Sequence, residues 1–333
     1  MGTRYAKVSA DYASQSSSTN IYVTGAGTNS GYIFTVGDIV FNIRTSEKLR
    51  VTAVATTYIT CDRQYGSAAY AAGLAGDELL KIGSVSEEGA TSRNVNSTLV
   101  ENNYNYTQIF RNSVSLTGSA KASKVYGGSD MKLQRAKVGT EHAFDIEHSM
   151  WFGEKKSTTG TNGKRLTATG GIDEHLNAGN SYVHSQGGMI TAPDFNVFLR
   201  ESFYYGKDNA SKTLFSGSII ISALNEIALG QIQMRPNESS YGMKISTWVT
   251  PFGEINLIHN PLFIGELAGR GYLLNLDNYE YRYLADNGEN RDTKLKMNIQ
   301  ANDADGEIDE WITECGLDRK LAAESSIIMD VTG

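Results

Sequence analysis

Residues Asn103–Gly153 read NYNYTQIFRNSVSLTGSAKASKVYGGSDMKLQRAKVGTEHAFDIEHSMWFG. This stretch decides the fold. Its first half alternates, with Val114 and Leu116 set between Ser113, Ser115 and Thr117, the period-two mark of a strand with one buried face. Gly127-Gly128 closes it, and Ser129 can cap a long helix that Gly153 stops. In that helix Ala143, Ile146 and Met150 fall at i, i+3 and i+7, flanked by Phe144 and Trp151, which predicts an apolar stripe. Gly139-Thr140 is the place for a bend. An extended arm joined to a long helix makes a poor catalytic pocket and a good limb for reaching a neighbouring copy. With no partner for it in its own body, the arm is expected to lie on the adjoining molecule. The contacts expected there are Tyr104, Tyr106, Phe110, Arg111, Val114, Leu116, Lys121 and Lys124. On this reading, deleting Asn105–Lys121 leaves a folded subunit that fails to assemble.

The remaining composition bounds the function. A chain of 333 residues with 40% hydrophobic side chains suits two or three structural units with real cores. No apolar run approaches the ~18–20 residues needed to cross a bilayer. The opening MGTRYAKVSADYASQSSSTN has no signal-peptide core and misses the myristoylation pattern. No membrane partner is therefore expected. Cys61 and Cys315, two thiols far apart, fit reduced buried residues. The net charge of −7 is uneven: residues 1–100 are neutral, 101–170 carry 10 basic and 6 acidic groups, and 171–333 carry 12 basic and 23 acidic. A basic arm and helix beside an acidic body can attract head to tail between copies.

Residues 1–20 read as a polar arm. From 21 to 93, short β-rich runs such as IYVTG, YIFTVGDIVFNI, KLRVTAVA and DELLKIG, separated by Gly, Ser, Asn and Asp, predict a small barrel or sandwich. GSAAYAAGLAGDE is expected to add one helical turn. Residues 84–102 are a polar connector and 155–166 a basic, Gly/Thr-rich loop. Thr191 caps a helix with Pro193 in its first turn and Phe195, Phe198, Leu199 and Phe203 on one face. A second helix runs from about Ser218 to Leu229. Strands follow: KISTWVT and EINLIHN around Thr250-Pro251-Phe252-Gly253, then GYLLNL, YEYRYLA, KLKMNIQA and SSIIMDVT.

Sites of chemistry fail on spacing. His142 and His148 are six apart, off a shared helix face, where a metal pair needs three or four. GAGTNSG, residues 25–31, is not a phosphate loop, because no helix start follows it. Residues 302–307, NDADGE, would put Ala301 and Ile312 at ligand positions of a calcium loop, so an acidic turn is the reading. No serine elbow or Cys–His pairing is present. No catalytic residue, metal or cofactor is expected. Arg111, Lys121, Lys124, Lys132, Arg135 and Lys137 form a basic band suited at most to non-specific phosphate contact.

The segments NYTQIFRNSVSLTGSA, DIEHSMWFGEKK, RLTATGGID, APDFNVFLRESFYYG, TPFGEINLIHNP and YLLNLDNYEYRYL together resemble the major capsid proteins of tailed bacteriophages with the Hong Kong 97-type fold. They cover roughly two-thirds of the chain. The resemblance implies an α+β architecture of extended loop, long spine helix, and peripheral and axial domains. It assigns residues 94–127 to the extended loop, 128–156 to the spine helix, 157–260 mostly to the axial domain and 261–333 to remaining axial and peripheral strands. The 21–93 β-domain is then an addition. It implies a non-enzymatic subunit of an icosahedral head around double-stranded DNA, assembled in the host cytoplasm and retained in the virion. Its partners would be copies of itself as pentamers and hexamers, with portal, scaffolding or decoration proteins and non-specific contact with packaged DNA. No helical scaffolding segment precedes the arm, and no Lys–Asn cross-link partners can be matched. Two other readings stand beside it: a tail, decoration or adhesin module, and a hydrolase on an α+β scaffold.

Overall fold

The computed structural model describes residues 5–13, 18–24, 33–91, 102–123, 130–179, 181–205, 211–231, 235–236, 246–286 and 288–333. Two compact units divide the chain, Met1–Asn102 and Asn103–Gly333.

In the first unit six antiparallel strands, β1 (Tyr5–Val8), β2 (Ser18–Thr24), β3 (Asp38–Asn42), β4 (Lys48–Val54), β5 (Tyr58–Asp62) and β6 (Glu78–Ser84), close a barrel in the order β1-β2-β5-β4-β3-β6. Alternation dictates the interior: Ala6, Val8, Ile21, Val40, Leu49, Val51, Ile59, Cys61 and Leu79 all point inward and are buried. Closure removes the free edges that a small sheet would expose. A polar cluster ties the segments around Tyr12 and residues 63–77 to the strands. Arg63 and Glu47, both fully buried, form a two-pronged pair at 2.8 and 2.6 Å, and Arg63 also donates to the carbonyls of Ala13 and Ala71. Asn42 donates to the Tyr12 hydroxyl and to Asp77. The Arg44 guanidinium hydrogen-bonded to Asp77 holds that carboxyl down to about 2.

Two expectations fail here. The polar N-terminal arm of residues 1–20 is partly barrel: Ala6, Val8 and Tyr12 are buried, and β2 begins at Ser18. The alternation in so short a strand is hidden by the Ser-rich run that follows. The helical turn expected in residues 66–78 is absent, and the segment is irregular backbone up to β6, pinned by Arg63 and by the Tyr12–Gly73 bridge.

In chain order the second unit comprises β7 (Gln108–Thr117), α1 (Gly118–Ala122), α2 (Asp130–Phe152), β8 (Lys156–Thr159), β9 (Arg165–Ala168), α3 (Ile172–Ala178), β10 (Tyr182–Gly188), α4 (Ala192–Ser202) and β11 (Lys212–Ser216). It continues with α5 (Ser218–Gln231), β12 (Arg235–Pro236), β13 (Ser246–Thr250), β14 (Gly253–His259), β15 (Gly271–Leu274), β16 (Tyr279–Tyr283), β17 (Ala285–Asp286), β18 (Glu289–Asn290), β19 (Lys294–Lys296), β20 (Gly306–Arg319) and β21 (Ser326–Val331). The architecture is α+β.

A seven-stranded mixed sheet, β10-β21-β15-β11-β14-β13-β12, is the larger body. One face carries Leu214, Leu273 and Ile255 against Phe195, Phe198 and Leu199 of α4 and Ile220 and Leu224 of α5. Helix α4 starts where its sequence says: the Thr191 hydroxyl caps it and Pro193 sits in the first turn. Phe215, Tyr272 and Leu274, alternate residues of the same strands, face a second core around Trp151, Ile172, Leu176, Phe263 and Leu317. Trp151, at the end of α2, lies 5.1–5.3 Å from the rings of Phe215, Phe263 and Tyr272. It fastens the long helix to the sheet.

The smaller sheet centres on β20. Strand β7 pairs with it in an unbroken antiparallel register from Gln108↔Cys315 to Thr117↔Gly306, while β16 and β19 pair on its other side. The arm expected to lack any partner in its own body therefore has one. Acids occupy buried positions of β20, Asp309 and Glu310, and this breaks the apolar alternation that would have marked a strand. The 155–166 loop is instead a two-stranded ribbon, β8–β9. Ser129 and Gly127-Gly128 lie outside the described residues.

Candidate assembly face

Helix α2 lies on the β7–β20 sheet, and its buried face matches the expected stripe only in part. Trp151 is buried and Ile146 and Met150 are half-buried, but Ala143 and Phe144 are exposed, and Met131 and His142 are buried in addition. Gly139 does not break the helix, which runs without interruption from Asp130 to Phe152. It makes room for Trp311, since a Cβ there would sit 3.2 Å from the indole. Trp311 in turn donates to the Arg135 carbonyl at 3.1 Å. At the helix end Gly153 and Gly171 meet backbone to backbone, the Gly171 amide donating to the Gly153 carbonyl at 2.6 Å. A Cβ on Gly153 would fall 2.4 Å from the Ser149 carbonyl oxygen.

Polar side chains hold this sandwich. His142, 1% exposed, contacts Asn112 Oδ1 through Nδ1 at 2.6 Å and Thr313 Oγ1 through Nε2 at 2.7 Å. Asn112 spends its amide hydrogen on Asp145 at 2.8 Å, so its Oδ1 accepts and His142 Nδ1 carries the proton. Burial holds the His142 pKa below its usual value, opposed by the Asp145 charge. Arg135 bridges Asp309 and Glu307. Arg111 makes a two-pronged pair with Glu310 at 2.7 and 2.8 Å, and Lys121 reaches Glu307 at 2.6 Å.

The root of the arm is locked by one residue the sequence did not single out. Asn105 donates to the carbonyls of Leu317 at 2.8 Å and Gly170 at 3.0 Å and to Thr169 Oγ1 at 3.2 Å, and it accepts from the amides of Gly170 at 2.8 Å and Tyr106 at 2.9 Å. A single carboxamide so joins β20, the α2–α3 connection and the arm.

Seven of the eight expected contact residues lie among the described residues. Phe110 and Val114 are buried, Phe110 edge-on to His142 at 6.5 Å, and Leu116 is half-buried. Arg111 and Lys121 are ion-paired within the chain. Tyr104 is exposed beneath Lys155 Nζ at 4.4 Å, and half-buried Tyr106 lies under the Arg165 guanidinium at 4.8 Å. Lys124 falls outside the described residues. Deleting Asn105–Lys121 would thus remove a strand paired over ten residues, and the expected folded deletant is not what this structure supports. The apolar surface left open is elsewhere. Leu133 and Phe144, 53% and 44% exposed, share a stripe of α2 with Lys137 and Thr140, about 160–180° around from buried Met131 and His142, and the same stripe reaches the sheet core at Trp151 in the last turn. Ile109 adds an exposed aliphatic on the free face of β7. The signal for Leu133 and Phe144 was present as their eleven-residue spacing, one full register of a helix face.

No group of His, Cys, Asp or Glu with metal-binding proximity occurs among the described residues. Cys61 and Cys315 are buried, and burial pushes their thiols up to about 12 and about 11.

Residues 15–332 match the family model described as SU10 major capsid protein. The major capsid protein of Pseudomonas phage PaMx41 is 28% identical over 255 residues, which is 73% of this chain and 60% of that protein, so the chain spans less than two-thirds of that relative's length. Among solved structures, Mycobacterium phage Patience is similar at TM-score 0.47 and 11% identity over 75% of this chain and 78% of that one. The holo-SrpI encapsulin complex of Synechococcus elongatus PCC 7942 is similar at TM-score 0.46 and 11% identity over 68% and 74%.

Proposed function

We propose that this chain, which belongs to the SU10 major capsid protein family, is a shell subunit whose copies close an icosahedral phage head around double-stranded DNA. The match over residues 15–332 carries the reading, and it sets aside the tail, decoration or adhesin alternative. The element order supports a Hong Kong 97-type subunit: an extended segment within 94–127, a spine helix within 128–156, a mostly axial region at 157–260, and axial and peripheral strands at 261–333. The barrel is then an added β-domain. The role is structural rather than catalytic. Pentamers and hexamers of the chain form the shell in the host cytoplasm and persist in the virion, with portal, scaffolding or decoration proteins as further partners.

Contact between copies falls on the side chains this body leaves open. Leu133 and Phe144 on α2, Ile109 on β7 and Tyr104 at the arm root form apolar surface that a neighbour would cover. Arg111, Val114 and Phe110 contribute by holding β7 in place. Electron microscopy of the expressed protein should show closed shells or capsomers. Leu133→Asp with Phe144→Asp should leave the circular dichroism spectrum unchanged and abolish closure. A wild-type chain that stays monomeric at high concentration with its phage partners, or a double variant that closes normal shells, overturns the proposal.

A further inference from the structure

Half of the basic band expected on the arm and helix is consumed: Arg111, Lys121 and Arg135 are neutralised by Glu310, Glu307 and Asp309, while Lys132 and Lys137 stay exposed on α2. A denser patch of open positive charge lies on the β8–β9 ribbon. From Lys155 to Gly171 the chain holds four cations, no carboxylate and seven Ser, Thr or Asn residues. Every residue of β8 is exposed, as are Lys164 and Arg165. No carboxylate pairs with Lys155, Lys156, Lys164 or Arg165 among the described residues. Lys155 and Arg165 are instead steadied over the rings of Tyr104 and Tyr106, and Arg165 Nε donates to Ser157 Oγ at 3.1 Å. Such contacts fix the cations and leave their charge unneutralised. A ribbon with no apolar face of its own gains little from burial. Its chemistry is that of a polyanion contact: cations and hydroxyls on a backbone loop.

We infer that the β8–β9 ribbon binds the phosphate backbone of nucleic acid. The choice of DNA as the polyanion rests on the shell reading above, whereas the ribbon's unpaired charge does not. The β20 carboxylates Glu307, Asp309, Glu310 and Glu314 of a second copy offer the ribbon little, because they are already held by Arg111, Lys121, Arg135 and Arg291.

The probe is a random-sequence 30-base-pair DNA duplex, titrated with the full-length unassembled chain and followed by fluorescence anisotropy between 50 and 200 mM salt. Three exposed cations, Lys156, Lys164 and Arg165, predict a log–log salt slope of about −2.7, so wild-type affinity should fall about 40-fold across that range. Lys156→Gln, Lys164→Gln and Arg165→Gln combined should remove most of that slope and weaken binding at 50 mM by at least tenfold, with an unchanged melting temperature and normal shell closure. Failure of the wild type to bind duplex, or a triple variant that binds like wild type, overturns the inference. A variant that keeps duplex binding but loses closure also overturns it, and assigns the ribbon to a neighbouring copy. Wild-type protein that binds duplex but never forms shells sinks the assembly reading alone.

Discussion

Asn105 gives the most decisive test of how the arm is held. Its carboxamide satisfies the amides of Gly170 and Tyr106 and the carbonyls of Leu317 and Gly170, at 2.8–3.0 Å. Asn105→Ala removes these four bonds together with the longer one to Thr169 Oγ1 at 3.2 Å. At about 1 kcal/mol net for each, with water replacing part of the loss at this half-buried site, the cost is about 2–4 kcal/mol. Asn105→Asp keeps the two acceptor contacts but turns a carboxylate oxygen toward two carbonyls. The two amides favour the charged form, but the two carbonyls 2.8 and 3.0 Å from the other oxygen repel it more strongly, so the folded-state pKa lies above the unfolded value. The Asp variant is therefore near wild type below the unfolded carboxyl pKa and loses stability as pH rises from there through the raised folded value. The assay is urea unfolding followed by tryptophan fluorescence. Trp151, Trp248 and Trp311 all lie in the second unit, so the barrel does not contribute to the signal. Relative to wild type, Asn105→Asp should lose stability between pH 4 and 7, while Asn105→Ala shows a constant deficit. An Ala variant within 0.5 kcal/mol of wild type, or an Asp variant with no pH-dependent deficit, refutes the lock.

Two further titrations report on buried polar groups. Lys212, 1% exposed, has its ammonium 2.6 Å from the Ser202 carbonyl and 4.8 Å from the centre of the Phe203 ring, and burial pulls it down to about 8. With a folded value below the unfolded one, wild type should gain about 2 kcal/mol over Lys212→Met between pH 7 and 9.5; parallel pH curves in urea unfolding would contradict this. His142, held neutral by burial, stabilises fully above the ordinary histidine range of about 6.5 and loses that contribution as pH falls below it. Tryptophan-monitored unfolding at pH 7 and 5 should show a larger drop for wild type than for His142→Gln, and an equal drop would place the acid sensitivity elsewhere.

Strong local signals were legible. The Thr191 cap, Pro193 and the Phe195/Phe198/Leu199 face define α4, the turn at Thr250–Gly253 defines the β13–β14 hairpin, and the alternation in Tyr279–Tyr283 defines β16. Each is fixed by backbone preference and period, which act over a few neighbours. The family could be read from phrases scattered along the same segments. The candidate face was legible only in part: Phe110 and Val114, offered as contacts, are buried, and the exposed apolar side chains of the long helix are Leu133 and Phe144.

What the sequence determined by itself is the list of elements with clean periods, the long helix and the β-rich first unit. What only the tertiary structure decided is which charges are spent. Arg111, Lys121 and Arg135 looked like a free basic band until β20, some 170 to 200 residues further along the chain, brought Glu307, Asp309 and Glu310 against them. The same pairing buried acids inside a strand and so erased its own alternation. Local rules cannot register a neighbour that distant, because its approach is set by the packing of α2 and β7 on β20 and not by any preference of the residues between.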